Sequence, residues 1–172
     1  MNTIFFDIET DALLDDMTKV HCIGVAEDDG PTESYGPDDL AAGVDRLLTA
    51  ERLIGHNIIG FDIPALMKFP ATNHIKGHTA LLRDTLLCSR LLYPDVKEDD
   101  WRRMHSVARR DFPRDLCGRH SLKAWGFRLG VHKGLYLEET ADYGEFTADM
   151  ADYCKRDVDC VRTLWHALEQ GR

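Results

Sequence analysis

The amino-acid sequence predicts a single α/β domain built on a mixed sheet. Two observations carry this. Short runs rich in β-branched and aromatic residues crowd the first third, and helical and extended patterns then alternate up to a long amphipathic helix at the C-terminal end. The length of 172 residues suits one domain, large enough to bury a core without disulfide or metal staples. A hydrophobic content of 44% fits a folded globule rather than a disordered chain.

Thr3 to Ile8 is an apolar run with Ile and Phe and reads as a buried strand. Lys19 to Ala26 reads as a second strand, and the turn cluster Glu27-Asp28-Asp29-Gly30-Pro31 separates it from a short third over Thr32 to Tyr35. Asp38 or Asp39 can cap a helix over Leu40 to Ala50, where Val44, Leu47 and Leu48 recur at helical spacing. Arg52 to Gly55 is a further short strand. Phe61 to Lys68 reads as a helix begun by Asp62 or Ile63, with Pro64 tolerated in its first turn. Residues 81–93 combine a strand with a helix from about Thr85, and residues 94–118 read as a polar, irregular loop. Ser121 to Leu129 is helical and closed by Gly130. The last helix, Thr147 to Glu169, carries Met150, Cys154, Val158, Val161, Trp165 and Leu168 in steps of three and four, one apolar stripe.

Charge is unevenly distributed. The formal net charge is −9, which argues against a protein that coats nucleic acid by charge alone. Residues 1–50 carry net −10, whereas residues 101–133 carry net +7. That basic stretch suggests a local phosphate-contacting surface, with Arg102, Arg103, Arg109, Arg110 and Arg119 as contacts; a solvated Arg-rich loop would look the same. The N-terminus has neither a basic region nor an apolar core of signal-peptide type, and no apolar run approaches the ~20 residues that span a bilayer. Five cysteines without a C-x-x-C read as reduced thiols in a cytoplasmic protein.

Three carboxylate features stand out. Asp7-x-Glu9 is the only Asp with a Glu two residues on, and on a strand the two side chains share one face. Paired carboxylates at the end of an apolar strand are costly unless a cation compensates, and hard oxygen ligands suit Mg²⁺ or Mn²⁺. Tyr153 and Asp157 sit one helical turn apart, each one position before a residue of the apolar stripe, at the edge of the buried face. Gly55-His-Asn57 precedes Asp62 at a strand-to-helix junction, where a plain helix cap would look the same. Two further pairings do not read as metal sites: His74 and His78, because Gly77 and polar neighbours suggest a loop rather than a helix, and Cys117 with His120, which has zinc-like spacing but no second pair.

In this order, FDIET, GHNIIGFD and YCKRD resemble the three exonuclease motifs of the Tyr-bearing (DEDDy) branch of the DnaQ-like, ribonuclease H-like superfamily. The resemblance extends through RDTLLCSRLL and HSLKAWGFRLGVHKG, covers roughly residues 3 to 168, and is closest to the proofreading exonuclease domain of phage-type family A DNA polymerases. It implies a ribonuclease H-like fold with a mixed five-stranded sheet flanked by helices. It also implies metal-dependent 3′→5′ hydrolysis of single-stranded or frayed DNA ends to nucleoside monophosphates. Carried over, Asp7, Glu9, Asp62 and Asp157 are the metal-site carboxylates and Tyr153 orients the attacking water; Thr10, Leu13 and Asn57 contact the terminal nucleotides. Two divalent cations about 3.5–4 Å apart would be held there. The chain lacks the polymerase that normally follows, so residues 1–172 are expected to form a free-standing exonuclease domain in the host cytoplasm, with a separate DNA polymerase as partner. Two alternatives stand beside this reading. One is an RNA exonuclease of RNase D type. The other is a catalytically silent module docking on nucleic acid or polymerase.

Overall fold

The computed structural model describes residues 1–105, 112–131 and 144–170. Five strands, β1 (Thr3–Thr10), β2 (Val20–Glu27), β3 (Thr32–Tyr35), β4 (Arg52–Gly55) and β5 (Leu81–Asp84), form one sheet in the order β3-β2-β1-β4-β5. β1 pairs antiparallel with β2 and parallel with β4; β2–β3 is antiparallel and β4–β5 parallel. The sheet is therefore mixed, with its antiparallel half made by the N-terminal meander and its parallel half by crossovers. The helices are α1 (Leu40–Leu48), α2 (Asp62–Leu66), α3 (Thr85–Leu92), α4 (Val96–Met104), α5 (Leu122–Leu129) and α6 (Ala148–Gln170). This is the ribonuclease H-like architecture expected from the motifs.

Alternation along β1 sorts its side chains between two cores. Ile4, Phe6 and Ile8 enter the core shared with α1 and α2, together with Val44, Leu47 and Leu66. Phe5 enters the opposite core, with Val158, Val161, Leu164 and Trp165 of α6. Asp7 and Glu9 follow Phe5 at intervals of two and so face α6.

Gly24 lets α6 lie directly on that face. It is opposite Asp7 in the register, and a Cβ there would stand 2.9 Å from both Cys154 Sγ and Val158 Cγ2. Gly24→Ala is therefore expected to lower stability by roughly 1–3 kcal/mol through overpacking. Gly77→Ala, whose Cβ would meet nothing within 4 Å, should be near neutral. Paired thermal melts check both.

The described residues of the 94–118 stretch, 94–105 and 112–118, depart from the expected loop. Val96–Met104 is helical, and a 3₁₀ turn follows at Arg114–Leu116. α4 escapes an apolar-pattern reading because its buried face is Val96 and the carboxylate of Asp100. Asp100 accepts from Arg128 Nε at 2.9 Å and Nη2 at 2.7 Å, and from the Gly118 amide at 2.9 Å. Arg128, on α5, lies over the Trp125 ring at 4.7 Å. A share of the +7 segment is thus interior: Arg128 is 5% exposed, and Arg103 donates to its carbonyl. Arg102 pairs with Asp99 on the surface, and Arg109 and Arg110 lie outside the described residues. No disulfide joins the five cysteines.

Candidate active site

β1 delivers Asp7 and Glu9 half-buried at its C-terminal end, just before a register shift against β2 between Glu9 and Thr10. Bulges of this kind commonly re-aim side chains beside functional sites. Atoms of Asp7, Glu9 and Cys154 that could ligate a metal lie within 4.8 Å of one another. The Cys154 thiol donates to the Asp7 carbonyl at 3.5 Å. Its hydrogen bond with Cys22, burial, and the charges of Asp7 and Glu9 push it well above the usual thiol range. Cys154 thus stays a neutral thiol under the carboxylates, leaving the oxygens as the hard donors.

Asp62 joins the same place from α2. Phe61 holds the N-cap position and no side chain caps this helix, so Asp62 is not the helix cap its position suggested. Its carboxylate instead accepts from the backbone N–H of Ile8, between Asp7 and Glu9. It is 3% exposed. Burial first, then the charges of Asp84 and Asp157, push its pKa up to about 7. α6 supplies Asp157, which is 5% exposed and so lies inside the buried face rather than at its edge; Tyr153, one turn earlier, is half-buried. The structure thus brings Asp7 and Glu9 together with Cys154, seats Asp62 on the amide between them, and sets Asp157 where its charge acts on Asp62. Crowded like charges of this kind are what a divalent cation relieves, and the all-oxygen donor set fits Mg²⁺ or Mn²⁺.

Of the three expected substrate residues, Thr10 ends β1, and Leu13 and Asn57 lie on loops. Thr10 Oγ1 donates to the Ala12 carbonyl at 2.8 Å, opening the 11–19 loop. The Asp11 carboxylate clasps that loop by accepting from the amides of Thr18 at 2.9 Å and Lys19 at 3.1 Å. Leu13, held out on it, is 77% exposed. Asn57 is exposed with φ +69°, a left-handed conformation that Asn tolerates better than most residues.

Asp84 fixes the Asn57 turn, a role that sequence reasoning missed. Its carboxylate accepts from the amides of Asn57 at 3.0 Å and Ile59 at 3.2 Å while capping α3 through Leu86 and Leu87. Thr85 Oγ1 donates to the Gly55 carbonyl and contacts His56 Nδ1 at 2.9 Å. An Asp just before a helical pattern was the available signal; its reach to residue 57 was not. Beside Asn57 opens a cleft of about 580 Å³ bordered by His56, Arg90, Arg119 and His120. Burial, then Arg128 and Arg90, hold His120 below the usual imidazole range, leaving the two guanidinium groups as the cleft's cations.

No family model matches the chain. The DNA-directed DNA polymerases of Enterobacteria phage T3 and Escherichia phage T7 are each 33% identical to it, over 94% and 96% of its length. The chain is a homologue of the exonuclease part of these polymerases. The chain spans about a quarter of their length, 26% in each case. Among solved structures, Brucella melitensis NrnC superposes with a TM-score of 0.61 at 18% identity, covering 98% of this chain and 72% of that one. A second structure, described as the apo form of a nuclease, gives 0.61 at 19% identity with the same coverages. At these identities the two structures speak for the fold of the exonuclease homologue. Among its described residues no helix is long and apolar enough to cross a membrane.

Proposed function

We propose that the protein is a divalent-metal-dependent nuclease that removes nucleotides from the 3′ end of single-stranded or frayed DNA. The observation that supports this is the pairing of Asp7 and Glu9 at the end of β1, with buried Asp62 on the intervening Ile8 amide and buried Asp157 bearing electrostatically on Asp62. Asp7, Glu9, Asp62 and Asp157 would hold the cations, which when bound polarise the scissile phosphate and make hydroxide available near neutral pH. Tyr153, half-buried one turn from Asp157, presents a hydroxyl able to orient the attacking water. Leu13 is exposed enough to wedge against the terminal base. Thr10 and Asn57 line the approach. The polymerase relatives favour DNA as the substrate.

The strand's backbone would enter over Arg90 and Arg119. Replacing both by Gln should raise KM, leave kcat at saturation intact, and flatten the salt dependence by about 0.7 log units for each single-strand phosphate that is no longer neutralised. An unchanged salt slope would show that the strand does not run through this cleft. The activity itself is tested with matched single-stranded DNA and RNA bearing free 3′ hydroxyls, incubated with Mg²⁺ or Mn²⁺. Faster shortening of the DNA supports the proposal. Faster shortening of the RNA would reassign the substrate, and no cleavage of either would refute it.

A further inference from the structure

α4 presents an aromatic platform that the acidic site does not use. Of the three tryptophans, Trp125 and Trp165 are each 6% exposed, whereas Trp101 is 52% exposed. Its ring is held stacked on His105, with centroids 5.2 Å apart and planes 13° from parallel. It opens on a cavity of about 750 Å³ that Lys97, His105, Phe112, Arg114 and Cys117 also line. Lys97 and Arg114 are exposed, and neither side chain has an ion pair among the described residues. No carboxylate lines the cavity among the described residues. An oriented indole with one aromatic neighbour below and unspent cations beside it matches an unpaired base with its phosphate.

The cavity and the cleft at Asn57 are walled by consecutive residues of one segment. Cys117 walls the cavity, and the next residues, Gly118 to Ser121, wall the cleft. Asp100 ties α4 to this shared segment through the Gly118 amide and to α5 through Arg128. The platform is therefore fixed relative to the cleft by a buried ion pair, with the Arg128 side chain 3% exposed and that of Asp100 fully buried.

We propose that the Trp101 cavity is a distal subsite for the same single strand whose 3′ end occupies the acidic site. One base stacks on Trp101 and the flanking phosphates meet Lys97 and Arg114. This rests on the nuclease reading above. On this proposal affinity depends on strand length, a trinucleotide occupying the acidic site alone.

Two measurements test it. In the first, wild type and Trp101→Ala are compared on a trinucleotide and on a strand of about 16 nucleotides. Loss of one stacked base should raise KM for the long strand roughly 5- to 100-fold with kcat unchanged. The trinucleotide should be unaffected, and Trp101→Phe should restore most of the difference. An unchanged KM on the long strand, or an equal loss on the trinucleotide, would overturn the subsite. In the second, intrinsic fluorescence of Asp7→Asn in EDTA is titrated with the long strand as DNA and as RNA. Because Trp101 is the exposed indole, quenching that disappears in Asp7→Asn/Trp101→Ala supports the subsite, and the better quencher identifies the sugar preferred. Absence of quenching by both would overturn it. The titration needs no turnover, so a chain that bound but failed to cleave in wild-type form would count against the nuclease reading and not against this one.

Discussion

Asp7→Asn is expected to reduce turnover about a thousandfold or more while leaving the fold intact. Asp7 offers a ligand oxygen within 4.8 Å of those of Glu9, on the same strand face, and of Cys154 from α6. The amide keeps the shape and gives up the charge, so a bound cation would lose one of its carboxylate donors. Electrostatic assistance of several kcal/mol by bound metal corresponds to a rate factor of about 10³. Circular dichroism and the melting temperature in EDTA should stay close to wild type, since the amide keeps the shape of the carboxylate. A variant retaining a tenth of wild-type turnover would place the chemistry elsewhere.

Asp62→Asn is expected to separate stability from activity. The carboxyl of Asp62 has a pKa of about 7 in the folded chain against 3.8 when unperturbed, through burial and the facing charges of Asp84 and Asp157. Because the folded-state value is the higher one, the native state binds the extra proton between about pH 4 and pH 7. Stability from this group is complete at the acid end and is lost as pH rises through 7. The full swing is roughly 4 kcal/mol. Asn cannot ionise but can still accept from the Ile8 amide. In EDTA the variant should therefore match wild type near pH 4 and be several degrees more stable at pH 8, while its nuclease activity falls steeply. Divalent metal at pH 8 should raise the melting temperature of wild type more than that of the variant. Parallel pH–stability curves for the two proteins would contradict the assignment of Asp62 to a buried, charge-crowded site.

Much of this was legible in the sequence where periodicity and chemistry coincide. The two-residue interval of Asp7 and Glu9 on an apolar strand put them on one face, and the stripe of α6 placed Tyr153 and Asp157 beside it. What was not legible depends on contacts distant in sequence. Gly24 matters because α6, at the far end of the chain, crosses it through Cys154 and Val158. Asp84 matters because two amides of the 57–59 turn close onto it. The helix α4 was hidden because its inward residue is an aspartate neutralised by Arg128, a pairing that an apolar pattern cannot reveal. The same buried pair explains why the basic stretch offers fewer surface cations than its net charge promised.

Trimming of strands from their 3′ end by the carboxylate group is tested most directly on one single-stranded DNA. It is labelled at its 5′ end in one reaction and at its 3′ end in another, and incubated with Mg²⁺ or Mn²⁺ and the wild-type protein. The expected result is a descending ladder from the 5′-labelled strand, immediate release of labelled mononucleotide from the 3′-labelled one, and neither with Asp7→Asn. Internal fragments at early times, mononucleotide released first from the 5′ end, or an undiminished ladder with Asp7→Asn would contradict it.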